Sequence, residues 1–343
     1  QRGRRLRRTF KVPPLLPVDP AFVRGCQEAA AEAYPPSVEE FDGLLRGGGF
    51  NRRKMLHYYF ARIESGIGGE PPGCTMFAVQ PGARDGGRGP LTGRNYDWAV
   101  SDLRWCALRH VEPSDGPRRI GYSHHWCGCA DMLNEGGLYI AIASLPPEPV
   151  GAPGVQWHIV VDMIAATCTT VEEAARRCAA VRHLRPMSYL LADASGTAGI
   201  VEATPSHVKL RRAEGGFVVA ANAPLGGELL QDWAAVESEV RLADPVVAQA
   251  AHFRETALER AEGRIETAGR LLAGAAPSVS EQTVRRILTE HDAPVCTGDH
   301  GTPNGAPWGT IWSGICEPAE GRFLIAPGLP CRHPWQEFRL AAE

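Results

Sequence analysis

The sequence has no run of 18 or more apolar residues, the least that a membrane-crossing helix requires, so no spanning segment is predicted. It has no basic excess either. Its 36 Lys and Arg stand against 39 Asp and Glu, a formal net charge of −3. A domain built to grip phosphates usually carries surplus positive charge, so this balance argues against nucleic acid as the main partner. Lysine itself is scarce: Lys11, Lys54 and Lys209 are the whole supply, and the other basic residues are arginine, a mark of coding bias more than of chemistry. No secretory core is present. The basic start (Arg2, Arg4, Arg5, Arg7, Arg8) runs into Val12-Pro13-Pro14-Leu15-Leu16-Pro17, too short and too proline-broken for one, and reads as a solvated arm. No internal repeat of fixed period occurs, and no cysteine pair has C-x2-C spacing.

What is present is ordinary for a soluble globule: 343 residues, 44% apolar and 22% charged, enough for one large domain or two of usual size. Ten cysteines in a chain this long, without a secretory segment, do not suggest a disulfide framework. Most are expected to be small buried hydrophobes, with one or two chemically special, and a cytoplasmic location is expected.

Along the chain, Glu39 to Ile67 carries apolar residues at helical spacing, broken by Gly47-Gly48-Gly49, and predicts two short helices. Gly68-Gly69-Glu70-Pro71-Pro72-Gly73 breaks the chain again. Strands are then predicted at Cys74–Gln80, Leu91–Trp98 and Gly137–Ser144, and as a meander through Ser188–Ala192, Gly199–Ala203, His207–Arg211 and Phe217–Ala221. Helices are predicted over Trp157–Ala166, from the Thr170…Glu173 capping box to about Val181, over a long mixed-charge stretch from Val236 to about Leu272, and over Glu281–Thr289. Thr310–Cys316 and Arg322–Ala326 close the chain as strands. Strands joined by short turns, without βαβ alternation, argue for an α+β fold of antiparallel sheets.

Gly73-Cys74-Thr75 sits where a loop ends and a strand begins. A glycine there permits a strained, exposed turn. The Cys74 thiol can attack the preceding carbonyl, and hydrolysis after the acyl shift would free the Cys74 amine. A buried strand cysteine is the plainer reading of the position alone. Twenty residues on stands Gly93-Arg94-Asn95-Tyr96-Asp97-Trp98. Strand alternation puts Arg94 and Tyr96 on one face and Asn95 and Asp97 on the other, so a local twist is expected if Arg94 and Asp97 both serve Cys74. Taken singly, each also reads as a surface salt-bridge residue.

Cys-Thr, a strand, a loop and then Gly-Arg-Asn-Tyr-Asp-Trp resembles the cysteine N-terminal-nucleophile hydrolases, the group of penicillin acyltransferase, choloylglycine (bile-salt) hydrolase and acid ceramidase relatives. The likeness runs from about Gly73 to Ala221 and looks nearest to predicted bacterial linear-amide hydrolases of the acyltransferase branch. Met132-Leu133-Asn134-Glu135-Gly136-Gly137-Leu138, the hairpin Tyr189–Gly196 through Val201-Glu202-Ala203, and Ala221-Asn222-Ala223-Pro224 fall in the family's order. The resemblance implies a four-layer αββα sandwich and self-cleavage between Gly73 and Cys74. Residues 1–73 would be a propeptide or retained small subunit, and 74–343 the catalytic subunit, the two processed chains staying associated. It implies Cys74 as nucleophile and its α-amine as base, an amine titrating near the working pH. Arg94 would assist the thiolate. Asp97 would hold the amine, Asn134 by its backbone or its side-chain amide and Asn222 by its side-chain NH2 would form an oxyanion hole, and Arg241 matches a later family arginine loosely. The substrate would be a small-molecule amide or acyl donor, with no cofactor or metal and no nucleic-acid or membrane partner; an oligomer is open.

The chain departs from the family at Asn222-Ala223-Pro224, where many relatives have Asn-His-Phe, and at His124-His125-Trp126-Cys127-Gly128-Cys129, which matches no family motif. That segment feeds a rival reading, a metal-binding protein using His124, His125, Cys127 and Cys129 with Cys296 and His300. Its one-residue cysteine spacing argues against zinc. A catalytically silent relative that binds a metabolite is a second rival. Asp193 reads as a turn residue, His158 as a core histidine, and the Glu239–Arg270 charges as a solvated helix face.

Overall fold

The computed structural model describes residues 19–61, 73–123, 128–145, 152–223, 225, 245–298, 300–301 and 307–340. His124, His125, Cys127 and Arg241 lie outside them.

The chain opens with three helices: α1 (Pro20–Ala33), α2 (Pro36–Gly48) and α3 (Arg52–Phe60). The predicted pair is α2 and α3; Gly49, at φ 60°, ends α2 in a left-handed cap that glycine adopts without a Cβ clash. Asn51 then caps α3 by accepting from the Lys54 amide. The first strands follow: β1 (Cys74–Val79), β2 (Leu91–Ala99), β3 (Ala107–Val111), β4 (Arg119–Ser123), β5 (Asp131–Asn134) and β6 (Leu138–Ser144). Next come α4 (Trp157–Thr167), α5 (Val171–Ala179), β7 (Met187–Asp193), β8 (Ala198–Ala203), β9 (Val208–Arg212) and β10 (Phe217–Ala220). The described chain ends with α6 (Pro245–Ala275), α7 (Glu281–Leu288), β11 (His300–Gly301), β12 (Pro307–Glu317), β13 (Arg322–Pro327) and β14 (Gln336–Arg339).

Two seven-stranded antiparallel sheets form. One runs β10-β1-β2-β12-β13-β14 with β11 beside β12, and the other runs β3 through β9 in chain order. The first sheet packs face to face on the second through β1 and β10 against β6, β7 and β8. Helices α6 and α7 cover its outer face, while α4 and α5 cover the outer face of the second. The fold is therefore the αββα sandwich in four layers.

Strand β1 shows how the layers are specified. All six of its residues are buried, because both faces are covered. Cys74, Met76 and Ala78 enter the core between the sheets, whereas Phe77 and Val79 join Val284, Ile287 and Leu288 of α7. Those α7 positions recur at helical spacing, and Ser280 caps the helix through Thr283. Thr170 and Glu173 form the predicted capping box of α5. Helices α1–α3 pack beside the second sheet's outer layer, Tyr59 against His158 of α4 and Glu40 against Arg109 of β3, and their Cys26, Phe41, Met55, Tyr59 and Phe60 are fully buried in a core continuous with it.

Strands β3, β4, β5 and β14 and helix α1 were not expected from the sequence. In β3 only an intermediate or exposed Ala-Leu-Arg-His-Val run marks the strand, and in β4 a glycine interrupts the alternation. No described helix is long and apolar enough to cross a membrane.

Candidate active site

The site is assembled at one end of the first sheet, where β1 begins. Cys74 pairs with Tyr96 across β1 and β2, and Met76 pairs with Arg94. Arg94 is thus the diagonal neighbour of Cys74 on the inter-sheet face, near enough for a long side chain. Its Nη2 lies 3.6 Å from Cys74 Sγ and donates to the Ile142 carbonyl at 2.5 Å. Its Nη1 pairs with Asp131 of the second sheet. The guanidinium also lies 4.6 Å from the Tyr96 ring centre and 4.7 Å from that of Trp312. A fully buried cation is thereby compensated by a carboxylate, a carbonyl and two aromatic faces.

The opposite face carries Asp97. Its backbone amide donates to the Gly73 carbonyl at 2.7 Å. Its carboxylate accepts from Thr310 at 2.6 Å and Thr297 at 3.0 Å, with Arg264 Nη1 3.6 Å away. Burial pushes the Asp97 carboxyl up, opposed by Arg264, the two threonine hydroxyls and Arg94. No twist of β2 is needed to serve Cys74 from both residues. Successive residues 73 and 74 face opposite ways, so Arg94 meets the sulfur while Asp97 meets the Gly73 side of the same peptide bond.

Gly73 is not the strained, exposed turn that its position suggested. It does not have a positive φ. A Cβ there would sit 2.3 Å from Asp97 Oδ2 and 2.8 Å from Asp97 Cβ, so glycine is required by close approach. Cys74 is itself buried, at 2% exposure, with its thiol pushed up by burial and drawn down by Arg94 and Arg264 against the opposing Asp97 charge.

Asn222 lies two residues beyond the Ala220 partner of Met76, level with Cys74. Its Oδ1 accepts from the Cys74 amide at 2.6 Å, and its Nδ2 donates to the Ser144 carbonyl at 2.7 Å. Asn134 is elsewhere. Its Nδ2 donates to the Ala165 and Cys168 carbonyls at 2.9 and 2.7 Å, and its Oδ1 accepts from the Leu138 amide at 2.9 Å. That places it at the start of β6, about 20 Å along the strand from Ser144, and both amide protons are engaged. It ties the β5–β6 turn to α4, so its side chain is not brought to the sulfur.

A second arginine, Arg264 on α6, also reaches Cys74. It is 6% exposed, so the Glu239–Arg270 stretch is not a solvated face throughout. Arg264 Nη1 donates to the Cys74 carbonyl at 2.9 Å and Nη2 donates to Asn222 Oδ1 at 3.0 Å. Arg241 falls outside the described residues. The sequence reading also missed Asp131, whose signal was an acid set among Cys129, Ala130, Met132 and Leu133.

The remaining polar residues take structural places. Asp193 accepts from the Ser195 and Val171 amides at a turn. His158 is buried edge-on to Tyr59. Cys129 is buried and its thiol is pushed up to about 12, mainly by burial. Cys296 lies beside Cys331 and His291. A depression of about 350 Å³ lined by Ala179–Arg182 and Thr204–Val208 holds none of the predicted site residues.

The family model described as acyl-coenzyme A:6-aminopenicillanic acid acyl-transferase matches residues 84–330, a span that holds Arg94, Asp97, Asn222 and Arg264 and begins after Cys74. Among solved structures, the chain is similar to a variant of conjugated bile acid hydrolase from Clostridium perfringens. Identity is 12% and the TM-score 0.52, over 78% of this chain and 97% of that one. It is also similar to penicillin V acylase from Agrobacterium tumefaciens, at 17% identity and a TM-score of 0.50, over 78% of this chain and 86% of that one. These likenesses establish the shared fold. A comparison with curated protein sequences finds no match.

Proposed function

The chain belongs to the acyl-coenzyme A:6-aminopenicillanic acid acyl-transferase family, and we propose that it breaks its own Gly73–Cys74 bond and then cleaves or transfers an acyl group at a linear amide through a thioester on Cys74. One observation carries the reading: the sulfur, both polar atoms of that peptide bond and the Cys74 carbonyl each have a partner. Arg94 Nη2 lies 3.6 Å from the sulfur, the Asp97 amide donates to the Gly73 oxygen at 2.7 Å, Asn222 takes the Cys74 amide at 2.6 Å, and Arg264 holds the Cys74 oxygen at 2.9 Å.

In self-cleavage the Cys74 sulfur bonds to the Gly73 carbonyl carbon and loses its proton. The Asp97 amide faces the oxygen on which negative charge develops. The C–N bond then breaks, the Cys74 nitrogen takes a proton, and water hydrolyses the thioester to leave a Gly73 carboxylate. The new α-amine has an ordinary pKa of about 7.7–8.0, suited to a base at neutral pH. Asn222 Oδ1, which accepts from the Cys74 nitrogen at 2.6 Å, orients that amine toward the thiol, and Asp97 is the second residue that this reading assigns to holding it.

In turnover the amine takes the thiol proton and the sulfur attacks the substrate carbonyl. Asn222 Nδ2 is the oxyanion donor of this reading, a contribution of about 3 kcal/mol in comparable sites. The amine returns its proton to the departing nitrogen, and water or an acceptor amine resolves the thioester. Burial of Cys74 fits this order, because cleavage frees the segment ending at Gly73 and opens a route to the sulfur. Residues 1–73 remain as a bound small subunit, since α1–α3 contribute to the shared core.

Intact-mass and N-terminal analysis of the purified chain tests the reading. The expected result is a chain that starts Cys-Thr-Met, absent in Cys74→Ala and slow to appear in Cys74→Ser. A single uncut chain whose Cys74 resists iodoacetamide would overturn it. Weighing products made with and without an amine acceptor separates amidase from acyltransferase.

A further inference from the structure

Away from the nucleophile, the loop after α7 and the turn after β13 bring together His291, Cys296 and Cys331, with one ligating atom from each lying within 4.8 Å of the other two. The two sulfurs are 3.9 Å apart. A disulfide needs about 2.05 Å. Two sulfurs bound to one tetrahedral zinc at about 2.3 Å stand about 3.8 Å apart, so two thiols in contact at the observed spacing could take an ion between them with little movement. The imidazole is already oriented: His291 Nδ1 is hydrogen-bonded to the Cys296 carbonyl at 3.1 Å, the outer contact that commonly fixes the tautomer of a ligating histidine. The loop is preformed as well. The Cys296 amide donates to the Glu290 carbonyl at 2.8 Å, and Glu290 Oε1 accepts from the His291 and Asp292 amides at 2.9 and 3.0 Å.

We propose that His291, Cys296 and Cys331 form a site for one thiophilic divalent cation of the zinc class, with water completing the tetrahedron. Binding breaks two S–H bonds, forms two metal–sulfur bonds and releases two protons to solvent. Two thiolates neutralise the dication, and the imidazole binds uncharged. Cys331 and His291 are exposed, so the site is open to the ion, while Cys296 is buried and anchors it. The next residue, Thr297, donates to Asp97 Oδ2 at 3.0 Å. The ion therefore clamps the turn after β13 to the loop that positions the site's carboxylate. This pairing differs from the His124–Cys129 cluster considered from the sequence, since Cys296 is joined to His291 and Cys331 instead.

The test uses the full chain, stripped with a chelator and titrated with cobalt(II) and then zinc under anaerobic, reducing conditions. The expected result is one cobalt with thiolate-to-metal charge-transfer absorption, displaced by zinc. Cys331→Ser and Cys296→Ser should lose that absorption, and His291→Ala should bind more than about tenfold more weakly. Because Cys331 and His291 are exposed, their variants should melt like the stripped parent, which separates lost binding from lost folding. Absence of the charge-transfer band overturns the proposal. So does equal binding by Cys331→Ser, which would place the ion elsewhere, or recovery of Cys296 and Cys331 as a disulfide under these conditions.

Discussion

The Arg264 guanidinium reaches from α6 to donate to the Cys74 carbonyl at 2.9 Å and to Asn222 Oδ1 at 3.0 Å, 3.6 Å from Asp97. It spans the proposed nucleophile, the residue that holds its nitrogen, and the neighbouring carboxylate. Burial draws its pKa down, opposed by Asp97 and Cys74. Arg264→Ala removes one half of a buried ion pair and leaves Asp97 charged without its main partner. Such a loss costs about 3–5 kcal/mol, read as a fall in Tm, with self-cleavage slowed roughly a hundredfold. Arg264→Lys keeps the charge yet recovers only part of the rate, because an ammonium does not reproduce the planar fork across two acceptors.

Gly73→Ala puts a methyl carbon 2.3 Å from Asp97 Oδ2 and 2.8 Å from Asp97 Cβ, well inside contact distance. Asp97 must then leave Thr310 and Thr297, or the chain before β1 must move off β2. Either shift disturbs the amide that faces the Gly73 oxygen. Self-cleavage of Gly73→Ala should therefore be slower than wild type by at least about tenfold, one factor of ten corresponding to about 1.4 kcal/mol. A time course of intact mass after expression checks this. Cleavage at the wild-type rate would show that the close approach has no part in the reaction.

The four-layer sandwich came from the resemblance, but its antiparallel sheets were legible in the sequence because the central strands announce themselves. Cys74–Val79, Leu138–Ser144 and Met187–Asp193 are apolar runs buried on both faces. The peripheral strands were not, since β3 is partly exposed and carries Arg109 and His110. At the site, the resemblance pointed to Cys74, Arg94, Asp97 and Asn222, and the fold brings these four together. Arg264 was hidden because one arginine among the charges of a long helix looks like solvent-facing pattern. It is singled out only by the packing that turns it toward Cys74. Asn134 misled for the converse reason: a polar residue at a glycine-rich turn can hold that turn together, and its three hydrogen bonds do so here.

Glu40 of α2 accepts from Arg109 at 2.8 Å and from Tyr59 at 2.9 Å, and Asp162 of α4 lies in the same buried charge cluster. Burial, and next the Glu40 charge, push the Asp162 carboxyl from 3.8 up to about 7, against the pull of Arg109 and Arg119. Between those values the folded chain holds a proton that the unfolded chain releases, so this group's contribution is present at low pH and is lost as pH rises through 7. The Arg109 partner holds Glu40 low, which gives the opposite slope. Asp162→Asn should remove only the loss at high pH. Its Tm should exceed wild type at pH 8 and converge with it near pH 4, as measured by thermal melts across that range.

The same interface predicts what becomes of the first 73 residues if the proposed cleavage occurs. Tyr59 lies edge-on to His158 of α4 at 4.9 Å, across the two pieces, and Phe41 packs behind it, 5.5 Å from Tyr59 and 5.1 Å from Phe60, with all three small-piece rings fully buried. Each such side chain contributes about 1.5–3 kcal/mol by leaving water, and α1–α3 add Met55, Cys26 and Ala30 to the same core. The Arg177 donation to the Ala33 carbonyl at 2.9 Å ties α1 to α5. A contact surface of this kind holds without a covalent link, so the cleaved pieces should elute together on gel filtration. Phe41→Ala opens a cavity worth about 3–5 kcal/mol and should let the small piece dissociate on dilution. Separation of the wild-type pieces under native conditions would show that the N-terminal helices are discarded rather than kept.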